Sequence, residues 1–177
     1  MNLPNLLTAL RIAMIPVFLL TYGRVSPAVS LLIFLLASLT DCLDGYLARK
    51  WDQVTAFGKL FDPLADKLLL LSVLFCFAKS GLVPWWVMAL MGVKEVLMMV
   101  GSMWLLRKNV VVQANQLGKA ATVVFIAALT FLFPWHPAGW LTTMGNVLLY
   151  VAVALSVSAL FVYAFFALLK PRLKSQG

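Results

Sequence analysis

Six apolar stretches fill most of this chain, and they restrict it to one kind of architecture. They lie at about residues 6–22, 27–48, 60–79, 84–106, 118–134 and 142–169, each close to the roughly 20 residues that cross a hydrocarbon layer as a helix. The short connections between them favour a compact helical bundle, in which every backbone N–H and C=O bonds internally. The composition agrees. The chain is 63% hydrophobic and 11% charged over 177 residues, where a soluble domain carries roughly 25% charged residues. The breaks between stretches hold turn chemistry: Tyr22-Gly23-Arg24, Trp51-Asp52-Gln53, Ser80-Gly81, Arg107-Lys108-Asn109 and Pro134-Trp135-His136-Pro137. The expectation is an all-α integral membrane protein with six transmembrane helices in one bundle, a single domain over residues 1–177.

Basic residues set the orientation. Arg49, Lys50 and Lys59 follow the second stretch, Arg107, Lys108 and Lys119 follow the fourth, and Lys170, Arg172 and Lys174 end the chain. The opposite side has Arg24 and Lys79. The positive-inside rule then predicts a multi-pass protein of the cell inner (cytoplasmic) membrane with both termini cytoplasmic. The net charge of +8 fits basic loops against anionic lipid headgroups. No nucleic-acid motif accompanies it. Met1–Ala9 holds no basic residue, so no secretory signal peptide is expected. The two cysteines, Cys42 and Cys76, sit in apolar stretches and read as small buried hydrophobes.

Against this background the acidic residues stand out. There are six, and five fall between Asp41 and Asp66. Four of them form the pattern Asp41-x2-Asp44-Gly45-x2-Ala48-Arg49-x8-Gly58-x3-Asp62-x3-Asp66. Asp41 and Asp44 share a helix face, as do Asp62 and Asp66. Pro63 suits a first helical turn, which predicts that the third helix starts near Leu60. Four carboxylates at a membrane boundary need a strong partner. Hard oxygen ligands at this density suit one or two divalent cations, Mg²⁺, Mn²⁺ or Ca²⁺, holding a phosphate-bearing substrate. Gly45, Ala48 and Gly58 leave room for a nucleotide or diphosphate near the backbone, and Arg49 offers a planar fork to phosphate. The bland reading is a structural network with Arg49, Lys50, Lys59 and Lys67. It leaves several carboxylates in mutual repulsion. The motif places an active site at the cytoplasmic membrane surface.

The string from Asp41 to Asp66 resembles the full signature of the CDP-alcohol phosphatidyltransferase family. Pro4-Asn5-x2-Thr8-x2-Arg11 and the run Phe57-Gly58-Lys59-Leu60-Phe61-Asp62-Pro63-Leu64-Ala65-Asp66-Lys67 are similar to its bacterial phosphatidylglycerophosphate synthase branch. They are also similar to the CDP-alcohol type of cardiolipin synthase. The clear resemblance covers about residues 1–70, with weaker similarity near Gly118-Lys119-x2-Thr122. It implies a six-helix fold, usually a homodimer. Asp41, Asp44 and Asp62 would ligate Mg²⁺ or Mn²⁺, and Asp66, beside the metal, would be the general base. Gly45, Ala48, Arg49 and Gly58 would line the cytidine diphosphate pocket. The implied partners are membrane lipids, CDP-diacylglycerol as donor and sn-glycerol 3-phosphate as acceptor, with phosphatidylglycerophosphate and CMP as products.

Other residues carry two readings each. Asn5, Thr8 and Arg11 recur at three-residue steps on one face. They line the donor side of the cleft, as the resemblance favours, or form a helix cap with a snorkelling arginine. Lys94 and Glu95 lie near the middle of the fourth stretch, where charges face a bundle interior or a wet cavity. Adjacent positions point about 100° apart and need not pair. Lys94, Arg107 and Lys119 are candidates for the acceptor phosphate, against plain topology determination. Lys94 departs from the arginine the resembling synthases commonly have there. His136, alone in a loop, reads as a surface residue.

Within the family the acceptor could instead be phosphatidylglycerol, giving cardiolipin. From another class, a cation-coupled transporter would place its acids near the bilayer midplane, often with an inverted repeat. An intramembrane prenyltransferase would carry its aspartate motif twice. Here the acids cluster at one surface, once.

Overall fold

The computed structural model describes the backbone over residues 3–50, 56–107, 116–134 and 139–174, and side chains over 9–40, 67–105, 116–134 and 139–165. The described residues form six helices and no strand: α1 (Leu3–Thr21), α2 (Pro27–Lys50), α3 (Ala56–Lys79), α4 (Trp85–Arg107), α5 (Gln116–Leu132) and α6 (Gly139–Lys174). They fall into two compact units. One is Met1–Pro84 with Leu132–Gly139, the other Trp85–Phe131 with Trp140–Gly177.

Local chemistry sets the helix ends. The Ser26 carbonyl accepts from the Val29 and Ser30 amides at 3.0 and 3.3 Å, and Pro27 follows at the first helical position of α2, where a missing N–H is harmless. α3 closes at Gly81. The Leu82 amide donates to the Phe77 carbonyl at 2.9 Å and the Gly81 amide to the Ala78 carbonyl at 3.2 Å. That is the Schellman pattern, and it needs the left-handed φ of 73° that Gly81 adopts. α3 begins at Ala56, earlier than the expected start near Leu60. Pro63 therefore lies well inside the helix and not in its first turn. This deprives the Lys59 carbonyl of its intrahelical donor.

In the first unit α1 packs against both α2 and α3, which also touch each other. The Ser80 hydroxyl at the end of α3 donates to the Tyr22 hydroxyl at the end of α1 at 3.2 Å. The two helices therefore run parallel, with α2 antiparallel to them. Near this end an aromatic cluster closes the unit. The Phe133 ring meets Phe77 edge-on at 4.9 Å, stacks on Phe34 at 5.8 Å and meets Phe18 at 6.3 Å. All four phenylalanines have no exposed surface. In the second unit Trp86 stacks on Tyr150 at 6.1 Å. Further along, a Cβ at Gly101 would sit 3.5 Å from the Tyr163 ring. These two contacts make α4 and α6 parallel.

Among the described residues, two stretches are long and apolar enough to cross a membrane, Trp85–Leu105 and Gly139–Phe165. Ala9–Thr21, Pro27–Thr40 and Gln116–Leu132 are shorter apolar segments. Large apolar side chains point outward on several helices, with Leu20 60%, Val123 67% and Phe161 70% exposed. Water would oppose such a surface and lipid tolerates it. The chain is a membrane protein.

Candidate active site

Because α1, α2 and α3 share the Tyr22–Ser80 end, the helical rise places their residues in register. Measured from that end at 1.5 Å per residue, Thr8 of α1, Asp41 of α2 and Asp66 of α3 all fall about 21 Å along. Asn5, Asp44 and Asp62 form a second tier, with Gly45, at about 26 Å. Ala48, Arg49 and Gly58 follow at about 32 Å, where α2 ends and α3 begins. Three helices thus bring every residue of the aspartate motif, together with Asn5 and Thr8, to one end of one unit. The side chains of Asn5, Thr8, Asp41, Asp44, Gly45, Ala48, Arg49, Gly58, Asp62 and Asp66 lie outside the described residues, and their placement here is that of the backbone.

Below the carboxylate tiers the unit is dry. Arg11 lies about one turn beneath Thr8, at about 16 Å, level with Ser38 on α2 and Leu69 on α3. Arg11 has no exposed surface, and Leu69 is 1% exposed. Arg11 makes polar or electrostatic interactions. The Ser38 Oγ is buried with no hydrogen-bond partner among the described residues. Beneath this level come Phe34, Val73, Phe77 and Phe133, all fully buried. Lys67, adjacent to Asp66, is half-buried and also engaged. Ser38 and Lys67 were not singled out as site residues from sequence. The signal was present for Ser38, which precedes Asp41 by the same three-residue step that separates Asp41 from Asp44.

The three acceptor-phosphate candidates are not brought together. Arg107 ends α4 and Lys119 lies in the first turn of α5, where Lys119 is exposed. Lys94 lies about 20 Å back along α4 from Arg107, too far to share one phosphate with it. The Arg107 side chain lies outside the described residues. Lys94 is 8% exposed, and its Nζ donates to the Glu95 carboxylate. Adjacent helical positions diverge, yet these two pair, because two long side chains bridge that angle when both are shut away from water. Glu95 has a further interaction. Ser156 of α6, 4% exposed, lies at the same level of the second unit.

The donor set fits a hard divalent cation. The acids of α2 and α3 occupy adjacent tiers, and oxygen is the only ligand type they supply. Among the described residues no cluster of three His, Cys, Asp or Glu exists. Cys76 is buried near the aromatic end, away from the acids.

Comparison with known proteins decides the family. The model of the CDP-alcohol phosphatidyltransferase family matches residues 1–169. The chain belongs to that family. It is an enzyme of phosphatidyl-group transfer, and the family generally uses a divalent metal. A relative in Salmonella paratyphi A, named CDP-diacylglycerol–glycerol-3-phosphate 3-phosphatidyltransferase, is 35% identical over 92% of each chain. The relative of the same name in Escherichia coli strain K12 is likewise 35% identical over 92% of each chain. That of Salmonella choleraesuis is 36% identical over the same share. Because this CDP-alcohol phosphatidyltransferase is covered nearly end to end by its relatives, the match includes the second unit as well as the aspartate motif.

Proposed function

We propose that the chain transfers the phosphatidyl group of CDP-diacylglycerol to sn-glycerol 3-phosphate, releasing CMP and forming phosphatidylglycerophosphate. The observation that carries this reading is the near end-to-end similarity to relatives bearing that name. The complete aspartate motif at one end of the α1–α3 unit supports it. Asp66 accepts the proton of the acceptor hydroxyl. The freed oxygen forms a bond to the phosphorus carrying the lipid, and the bond from that phosphorus to the oxygen of the cytidylyl phosphate breaks. CMP takes the electron pair of the broken bond. Mg²⁺ or Mn²⁺, held by Asp41, Asp44 and Asp62 with Asp66 beside it, would offset the charge of the diphosphate. Asn5, Thr8, Gly45, Ala48, Arg49 and Gly58 form the donor side, the last three at the rim where the cytidine enters. Arg107 and Lys119 bind the acceptor phosphate. In-line transfer needs held reactants more than a protein nucleophile.

The enzyme is one catalytic domain over residues 1–177. It crosses the inner membrane with all six helices, keeps both termini cytoplasmic and opens its site at the cytoplasmic surface. It works as a homodimer among membrane lipids. The loop charges support this orientation.

The test is CMP release by the purified protein from CDP-diacylglycerol, with glycerol 3-phosphate, phosphatidylglycerol, serine or inositol as acceptor. Mg²⁺, Mn²⁺ and chelator arms complete it. Release with glycerol 3-phosphate that chelator abolishes is expected. Release with phosphatidylglycerol alone would make the product cardiolipin and overturn the acceptor.

A further inference from the structure

We propose that Arg11 is a positioning residue, the fixed counter-charge beneath the carboxylate tiers, and not a ligand of the donor. A guanidinium stays charged under all ordinary conditions, and a fully buried charge persists only when paired. Arg11 has no exposed surface and makes at least one interaction, while its Nε and Nη1 have no hydrogen-bond partner among the described residues. A residue that recognises an incoming lipid nucleotide must be reachable in the empty site, and Arg11 is not.

Its surroundings fix the direction of its partners. Below it, Phe34, Val73, Phe77 and Phe133 are fully buried and apolar, and the nearest buried hydroxyl on that side, Ser30, lies about 12 Å further down α2. At its own level stand Ser38, a single hydroxyl, and apolar Leu69. Side chains on an α-helix lean toward its N-terminus. On α1 this carries Arg11 toward the tier of Thr8, Asp41 and Asp66, about 4.5 Å away, or three residues along the helix. The two tiers hold four acids, with Lys67 next to Asp66, and they need fixed positive charge beneath them if they are to stay ionised and oriented before a cation arrives. Arg11 supplies that charge from a site that water cannot enter.

This inference rests on the reading of the four aspartates as a cation site, and the experiment separates the two. Mn²⁺ binding is measured by electron paramagnetic resonance on the substrate-free protein in detergent, for wild type, Arg11→Lys and Arg11→Met. Wild-type protein that binds no Mn²⁺ would end the cation reading. With wild-type binding established, Arg11→Lys is expected to weaken Mn²⁺ binding by about 10–100-fold. It should lower kcat in parallel while the KM for CDP-diacylglycerol changes less than about twofold. A donor KM raised tenfold or more with unchanged Mn²⁺ affinity would make Arg11 a donor ligand and overturn the proposal. Unchanged values throughout would do the same. If the variants fold poorly, thermal unfolding of metal-free protein still decides. Arg11→Met should lower the Tm, and adding Asp41→Asn or Asp66→Asn should restore part of that loss. Strictly additive losses would show that Arg11 serves some partner other than the acids.

Discussion

Replacing Glu95 with glutamine should be one of the most damaging single changes in the second unit. Lys94 and Glu95 have side chains 9% and 14% exposed and are joined by one ion pair. Glu95→Gln leaves the Lys94 ammonium buried without its countercharge, which costs about 3–5 kcal/mol for pairs of this kind. Lys94→Met should cost less, because Glu95 retains its other interaction. Removing both charges, as Lys94→Met with Glu95→Leu, leaves no buried charge and trades desolvation for packing. Such replacements are neutral or stabilising. For a chain of this size the single Glu95 change corresponds to a Tm lower by about 6–20 °C, at roughly 2–4 °C per kcal/mol. Thermal unfolding followed by tryptophan fluorescence in detergent reads the full cycle. The double variant should recover most of the loss, and its KM for glycerol 3-phosphate should stay within about threefold of wild type, since Lys94 lies about 20 Å along α4 from Arg107. A double variant as unstable as Glu95→Gln would refute the pairing argument. An acceptor KM raised tenfold would return Lys94 to the acceptor site.

Three further outcomes follow from the geometry. Asp66→Asn should lower kcat by about 10²–10⁴-fold while donor binding, read by equilibrium dialysis of a labelled CDP-lipid, stays near normal; ordinary turnover would remove Asp66 as the base. Gly45→Leu, at the level of the upper carboxylates, should raise the donor KM at least tenfold, and an unchanged KM would move the nucleotide elsewhere. Gly81→Ala should destabilise by about 1–2 kcal/mol although nothing lies within 4 Å of the added Cβ, because φ is 73° there; an unchanged Tm would show that the α3 end relaxes without loss.

Much of this architecture was legible in the sequence because turn chemistry and hydropathy agree. Ser26-Pro27 opens α2 and Ser80-Gly81 closes α3, and each boundary is written in residues with few alternative conformations. Where local preference met a stronger neighbour the sequence misled. Pro63 favours a first turn, yet α3 starts at Ala56 and absorbs it. Lys94 and Glu95 diverge by helical geometry, yet burial pairs them. Both outcomes depend on what surrounds the element, which spacing alone does not encode.

The aspartate motif was legible for a different reason: its spacing matches the helical repeat on two separate helices. What spacing could not give was depth. The pin at Tyr22 and Ser80 supplies it, by fixing a common origin for α1 and α3 from which Thr8, Asp41 and Asp66 fall level. The same origin sets Arg11 one turn lower, above the sealed phenylalanine layer. It thereby separates three residues that sequence had grouped on one face, leaving Asn5 and Thr8 level with the acids and Arg11 beneath them. In the proposed function, a tight layer under the acids would leave a cation and the diphosphate only the open end of the unit as an approach. Unpinning that end, for example with Tyr22→Phe and Ser80→Ala, would leave the motif intact while loosening its register. The expected signature is a fall in kcat greater than the fall in Tm explains.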